Sequence, residues 1–322
     1  VKMDLGLAER YLDFAEFARL DSPSFAAWAE GVAHDPEVQG WLADLPAIKQ
    51  QPNLVFAAAR WHGAETPAAY DELRRVLFGQ EDAVKATIRE RATQTNEVGR
   101  LATLVPAFAA VPGPLALIEV GASAGLTLFP DRYDYSWPPL GELVGSGGPR
   151  LTARAEGPVP IPAAHPEVAW RGGCDLNPLD VTDDDAMAWL RTLVWPEQAD
   201  RLARLEAAVE VARREPPYIV RGDLLAELPG LLAEAGRHGT PVVFHSAVIA
   251  YLESDQRDEF AATMGDLVAA GECRWVSNEA PSVLPGVAST VPAERLVGRF
   301  VLGLDGRAVG WTHGHGHALG WL

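Results

Sequence analysis

Leu115-Ala-Leu-Ile-Glu-Val-Gly-Ala-Ser-Ala-Gly125 reads as a short strand, an acid near its end, a glycine turn and the start of a helix. Apart from Glu119, every position from Leu115 to Val120 is apolar, the pattern of a parallel strand covered on both faces. Glu119 interrupts that run where the strand should leave the sheet. Gly121 and Gly125 permit a tight turn and a close backbone approach to a ligand, which a side chain would block. The rest of the chain is then a set of elements placed beside this strand.

Downstream, the signals alternate. Val168–Asp175 reads as a strand ending in an acid, residues 184–213 as helical with Trp195-Pro196 as punctuation, and Pro217–Asp223 as a strand ending in Gly-Asp. A helix beginning near Leu224 follows, then a buried strand from Thr240 carrying His245 and Ser246 at its end. Asp255–Ala270 is an amphipathic helix and Glu272–Ser277 the next strand. Two apolar runs around Asp305-Gly306 give a strong hairpin signal. Strands alternating with helices imply a mostly parallel, doubly wound α/β sheet, with an antiparallel C-terminal hairpin at one edge.

Upstream, residues 1–110 predict a helical N-terminal layer. Leu5–Leu20 has helical spacing, Ser22-Pro23 supplies a cap and a first-turn proline, and further helices are expected at Asn53–Trp61, Pro67–Phe78, Ala83–Thr93 and Asn96–Ala110. Val111-Pro-Gly-Pro114 then breaks the helix. The α/β domain accordingly spans 111–322. Residues 126–168 read as an insertion: Leu126–Trp170 holds eight prolines, which exclude a long helix, and a hairpin is expected near Leu151–Ile161.

The central turn satisfies two patterns. Glu119-x-Gly121-x-Ser123-x-Gly125 resembles the first motif of S-adenosylmethionine-dependent methyltransferases, where the acid can accept a hydrogen bond from the ammonium of the cofactor. Gly121-Ala-Ser123-Ala-Gly125 also fits the nucleophile elbow of α/β-hydrolases, with Ser123 as nucleophile. A glycine turn with no ligand is the third reading. The order of elements from Leu115 onward resembles the methyltransferase fold, a Rossmann-like sheet with one reversed strand at its end. An α/β-hydrolase instead places several strands before its elbow, and here about 110 helical residues come first.

On the methyltransferase resemblance, Gly121 and Gly125 form the loop beside the cofactor, Asp175 binds the ribose, and Asp223 with Leu224 flanks the adenine. His245 and Ser246 face the transferred methyl. Glu119 and Asp175 are 56 positions apart, far more than the roughly 20 of dinucleotide sites. Either the insertion loops out or Asp131 takes the ribose role. A closer resemblance is to bacterial domain-of-unknown-function family 2332, carried by Thr95–Arg100, Glu119–Leu126, Asp131–Tyr133, Arg171–Pro178, Trp195–Glu197, Gly222-Asp223 and His245-Ser246. It implies a methyltransferase-type fold and brings no substrate.

His245 is the expected base, because an imidazole titrates near neutral pH; the alternative is a buried structural histidine. Asn96 and Glu97 are candidates for orienting an acceptor, although Glu97 and Arg100 are also spaced to pair on one helix face. Arg100, Arg132 and Tyr133 are candidate substrate contacts, or cover for the sheet. His62 is an ordinary helix-end residue. His313, His315 and His317 could ligate zinc on a strand, but the intervening glycines favour a loop and no metal is expected.

The chain has 44 acidic and 27 basic residues, a formal net charge of −17, which disfavours nucleic acid as a partner. Two cysteines, Cys174 and Cys273, make neither a disulfide framework nor a thiolate zinc site. No apolar run approaches the roughly 20 residues of a membrane span, and the first residues lack a signal-peptide layout. The expectation is a cytoplasmic protein acting on a small molecule, with S-adenosylmethionine as cofactor. A cofactor-binding module without catalysis is the alternative. The oligomeric state is not legible.

Overall fold

The computed structural model describes residues 6–94, 96–292 and 296–322. Leu5 and Thr95, which enter the readings above, lie outside them. The fold is mixed α/β, with twelve helices among the described residues, none long and apolar enough to cross a membrane. The chain divides into two compact units, one of Val1–Thr95 with Asp184–Ala203, the other of Asn96–Asp183 with Arg204–Leu322.

The first unit is helical. Its helices include Leu7–Ala18, Pro23–His34, Pro36–Ala43, Pro52–Trp61, Tyr70–Gly79, Glu81–Glu90 and Asp184–Leu193. Proline occupies the first turn of three of them, where its missing N–H costs nothing. Ser22 caps its helix by accepting from Phe25 N at 3.2 Å, as the sequence predicts. Phe25, Trp28 and Phe56 are buried in the core. Residues 184–203 join this unit through Trp189, whose indole donates to Ala92 O, and Trp195, whose indole donates to Asn53 Oδ1, each at 2.9 Å.

The second unit is built on a nine-stranded sheet. In chain order its strands are β1 (Leu115–Val120), β2 (Asp134–Trp137), β3 (Gly141–Leu143), β4 (Arg150–Thr152), β5 (Arg154–Glu156) and β6 (Val168–Asp175). There follow β7 (Tyr218–Arg221), β8 (Thr240–Ser246), β9 (Arg274–Glu279), β10 (Phe300–Leu304), β11 (Arg307–Thr312) and β12 (Ala318–Trp321). The large sheet runs β5-β12-β11-β10-β9-β8-β1-β6-β7, and β3-β2-β4 form a small second sheet. From β9 to β7 all neighbours are parallel.

Side-chain alternation along β1 explains its composition. Ala116, Ile118 and Val120 face a core that includes Leu228 and Leu231 of helix Leu224–Ala235 and Phe260 of helix Ser254–Ala269. On the other face Phe108, from helix Leu101–Ala109, meets Phe244 of β8 edge-on at 5.2 Å between centroids. Burying an aliphatic side chain contributes about 1.5–3 kcal/mol. The several that β1 buries therefore offset one acid at its end.

Three expectations need correcting. No helix follows Gly125: residues 121–130 form successive turns. The predicted hairpin near Leu151–Ile161 does not form; β4 pairs parallel to β2 in the small sheet, whereas β5 pairs parallel to β12 in the large one. The Asp305-Gly306 hairpin is present, with φ of 53° and 75° at its two turn residues, but β11 is not an edge because β12 and β5 continue the sheet. The insertion loops out, so β6 lies directly beside β1.

Candidate functional site

The sheet reverses direction of travel at β1. The chain passes from β1 to β6 and β7 on one side, then returns to β8 and β9 on the other. Ligands of open α/β sheets bind outside the carboxyl ends of the strands at such a point. There β1, β6 and β7 lead into Glu119, Asp175 and Asp223.

The turn after β1 is knitted to its neighbours. Gly121 N and Ala122 N both donate to Cys174 O, at 2.9 and 3.0 Å, and Gly125 N donates to Ala122 O at 2.7 Å. Ser123 N donates to Asp175 Oδ2 at 2.8 Å, and Ala124 N to Asn96 Oδ1 at 3.2 Å. Each N–H from Gly121 to Gly125 thus has an internal acceptor, and the turn is not an open anion nest. The glycines serve packing. A Cβ on Gly121 would lie 2.5 Å from Val248 Cγ1, and one on Gly125 2.7 Å from Ile219 Cδ1. Protein thus fills the position that a Cβ would take at each of these two residues.

Asn96 also donates its amide to Ser123 Oγ at 2.9 Å. Ser123 is buried with φ of 51°, yet an amide cannot accept its proton, and the helix a nucleophile elbow requires is missing. Glu97 is buried and caps the 3₁₀ turn Val98–Arg100 by accepting from Gly99 N at 3.1 Å. Arg100 donates to Gly314 O at 2.9 Å and Ser246 O at 2.8 Å, which joins the His313–His317 loop to the end of β8. Helix Leu101–Ala109 therefore starts later than the sequence predicts.

Glu119 is the perturbed carboxyl. Thr127 donates its hydroxyl to Oε1, while Oε2 is buried with no hydrogen-bond partner. Burial, reinforced by the charge of Asp175 and opposed by Thr127 and Arg100, pushes its pKa up to about 8. Asp175 keeps acceptor capacity, since its carboxylate receives Ser123 N and Asn177 N, the latter at 2.7 Å. Asp223 is exposed and caps its helix through Leu225 N at 3.0 Å. With Leu224, Leu225, Ala226, Leu252, Gln256 and Glu259 it lines a cleft of about 510 Å³.

Other predicted residues go elsewhere. His245 is fully buried; its Nδ1 lies 2.8 Å from Glu279 Oε1, and its Nε2 accepts the Trp275 indole N–H at 3.0 Å. Both nitrogens are committed, so the ring has none to offer an acceptor as base. Ser246 Oγ accepts the Asn278 amide at 2.8 Å. Tyr133 is fully buried and donates to Leu126 O at 2.8 Å, so its hydroxyl is spent within the protein. Arg132 is exposed and pairs with Asp131 and Glu215. Asp131, the other ribose candidate, accepts from the buried Arg171 at 2.9 and 3.2 Å. His62 Nε2 meets Thr87 Oγ1.

His313–His317 is a loop in which the rings of His313 and His317 stack at 3.5 Å. Among the described residues no group of three or more His, Cys, Asp or Glu could hold a metal ion. Burial raises the thiols, Cys174 to about 12 and Cys273 to about 11, so neither is a ready nucleophile. Sequence reasoning missed Thr127, Glu279 and Asn278. Glu279 carried a signal, since it ends β9 as Asp175 ends β6, but the predicted strand stopped at Ser277.

The family described as "Uncharacterized protein conserved in bacteria (DUF2332)" has a model that matches residues 8–321. The chain belongs to this family. No curated protein and no solved structure matches it significantly. The DUF2332 match spans both units, so the helical unit is part of the family's common architecture.

Proposed function

We propose that this DUF2332 protein binds S-adenosylmethionine at the carboxyl edge of its parallel strands and transfers the methyl group to a small acceptor. One observation carries the reading: three adjacent parallel strands lead into Glu119, Asp175 and Asp223 at the switch point of the sheet. The residues present fit a nucleoside with a cationic tail. Asp175 has lone pairs left for ribose hydroxyls. Asp223, Leu224 and Leu252 offer one polar and two apolar walls of the cleft to an adenine ring. Glu119 lies further along the same edge, toward the cationic end of such a ligand.

Bound there, the cofactor supplies an already activated methyl group. The protein's work is to align an acceptor and exclude water. Neither His245 nor Ser123 is assigned a proton-transfer role, for the reasons of geometry given above. Ser123 hydrolysis has no base to support it, and the Asn96 amide orients the turn.

Calorimetric titration with S-adenosylmethionine and S-adenosylhomocysteine tests this. Micromolar binding is expected for the native chain. Asp223→Ser keeps a helix cap while removing the charge, and Glu259→Trp fills the cleft; both should weaken binding at least tenfold. Binding unchanged in both variants places the ligand elsewhere. Binding without turnover across an acceptor screen leaves a cofactor-binding module.

A further inference from the structure

Glu119 combines three properties that a structural carboxylate does not need together. It is the penultimate residue of β1, between Phe244 of β8 and Gly173 of β6. Its Oε2 is buried without a hydrogen-bond partner, although the residue as a whole is only partly buried. The turn Gly121–Gly125, with every N–H internally satisfied, has no donor to give that oxygen. The charged and titratable groups that face it are Asp175 at the end of β6, Arg100 from the 3₁₀ turn, and Tyr133 just before β2. The Thr127 hydroxyl, from the turns after Gly125, completes the set.

An orphan acid oxygen in such surroundings is most stable as a neutral carboxyl until a cation arrives. We propose that docking of the ligand's ammonium end is coupled to the loss of one proton from Glu119, an inference that rests on the cofactor reading above. The balance is simple: the Glu119 carboxyl gives its proton to buffer, and the carboxylate left behind accepts a hydrogen bond from the ligand's ammonium. At neutral pH the group is largely protonated beforehand, since burial has pushed it up to about 8. Affinity for the cationic ligand therefore rises with pH, up to about tenfold per unit below that value.

The test is calorimetry of S-adenosylhomocysteine at pH 7 in two buffers of very different ionisation enthalpy. The native chain should release about one proton per ligand bound. Glu119→Gln, close in shape and shown to be folded by its unfolding curve, should bind with that release abolished. 5′-Methylthioadenosine, which lacks the ammonium end, should bind the native chain and release none. S-Adenosylhomocysteine binding with no proton release, or with the same release in Glu119→Gln, overturns the inference and leaves the cofactor reading standing. Absence of binding by both ligands overturns the two together.

Discussion

At the scale of single residues, Glu119 and His245 stand at the same end of neighbouring strands and are handled in opposite ways. His245 has a partner on each nitrogen; Glu119 has one oxygen with none. His245→Gln should leave the Glu279 carboxylate without its imidazole and the Trp275 N–H unpaired. Urea unfolding should register a loss of roughly 3–5 kcal/mol, with ligand affinity within threefold of native. A large loss of affinity in a well-folded variant would return His245 to the site. Glu119 makes stability depend on pH. The folded chain holds its proton up to about pH 8, against 4.5 for the ordinary group. Between those values the folded state binds the proton and the unfolded state does not, so stability falls as pH rises and the contribution is gone above about 8. Glu119→Gln should remove that part of the slope, on the order of 5 kcal/mol across the window. Parallel pH profiles for the two proteins would contradict the assignment. Glu119 was legible as an acid interrupting an apolar strand. The partner of His245 was not, because Glu279 comes 34 residues later and only the register of β8 on β9 brings the two together.

At the scale of elements, local chemistry was legible where it is self-contained. Asp305-Gly306 closes its hairpin because both residues accept positive φ, and Ser22-Pro23 starts a helix with its own cap. The insertion was not legible, because β3, β4 and β5 have three residues each, too few for any periodicity, and their partners are set by tertiary pairing. The turn after β1 was half legible. Its glycines were evident, but not that Val248 and Ile219 crowd the place a Cβ would take at each. Gly121→Ala should therefore be costly in two separable ways, through a φ of 71° worth about 1–2 kcal/mol and through overlap with Val248. Adding Val248→Ala should recover the overlap and leave the dihedral cost, read as a partial recovery of the unfolding midpoint. If Val248→Ala only adds further destabilisation, the packing explanation of Gly121 fails.

At the scale of the molecule, the alternation of strands and helices sufficed to read a mostly parallel sheet, and the strand order supplies what alternation cannot. Travel from β1 to β6 and β7, then back to β8 and β9, gathers Glu119, Asp175, Asp223 and Leu252 at one end of the sheet although they span 133 positions (252 − 119). The other end carries its own cleft of about 370 Å³, lined by Phe108, Gly113, Leu115, His165 and neighbouring residues. The two ends make opposite predictions for hydrogen exchange, since a bound ligand slows the local openings through which amides exchange. S-Adenosylhomocysteine at saturation should slow exchange in 119–127, 175–179, 222–226 and 252–256, four segments remote in sequence. It should leave 108–115 and 162–167 unchanged. The slowing should be smaller in Asp223→Ser at the same ligand concentration, because occupancy falls with affinity. Protection confined to 108–115 and 162–167 would move the ligand to the amino ends of the strands. There the acids that close β1, β6 and β7 could not reach it, and the methyltransferase reading would lose the observation on which it stands.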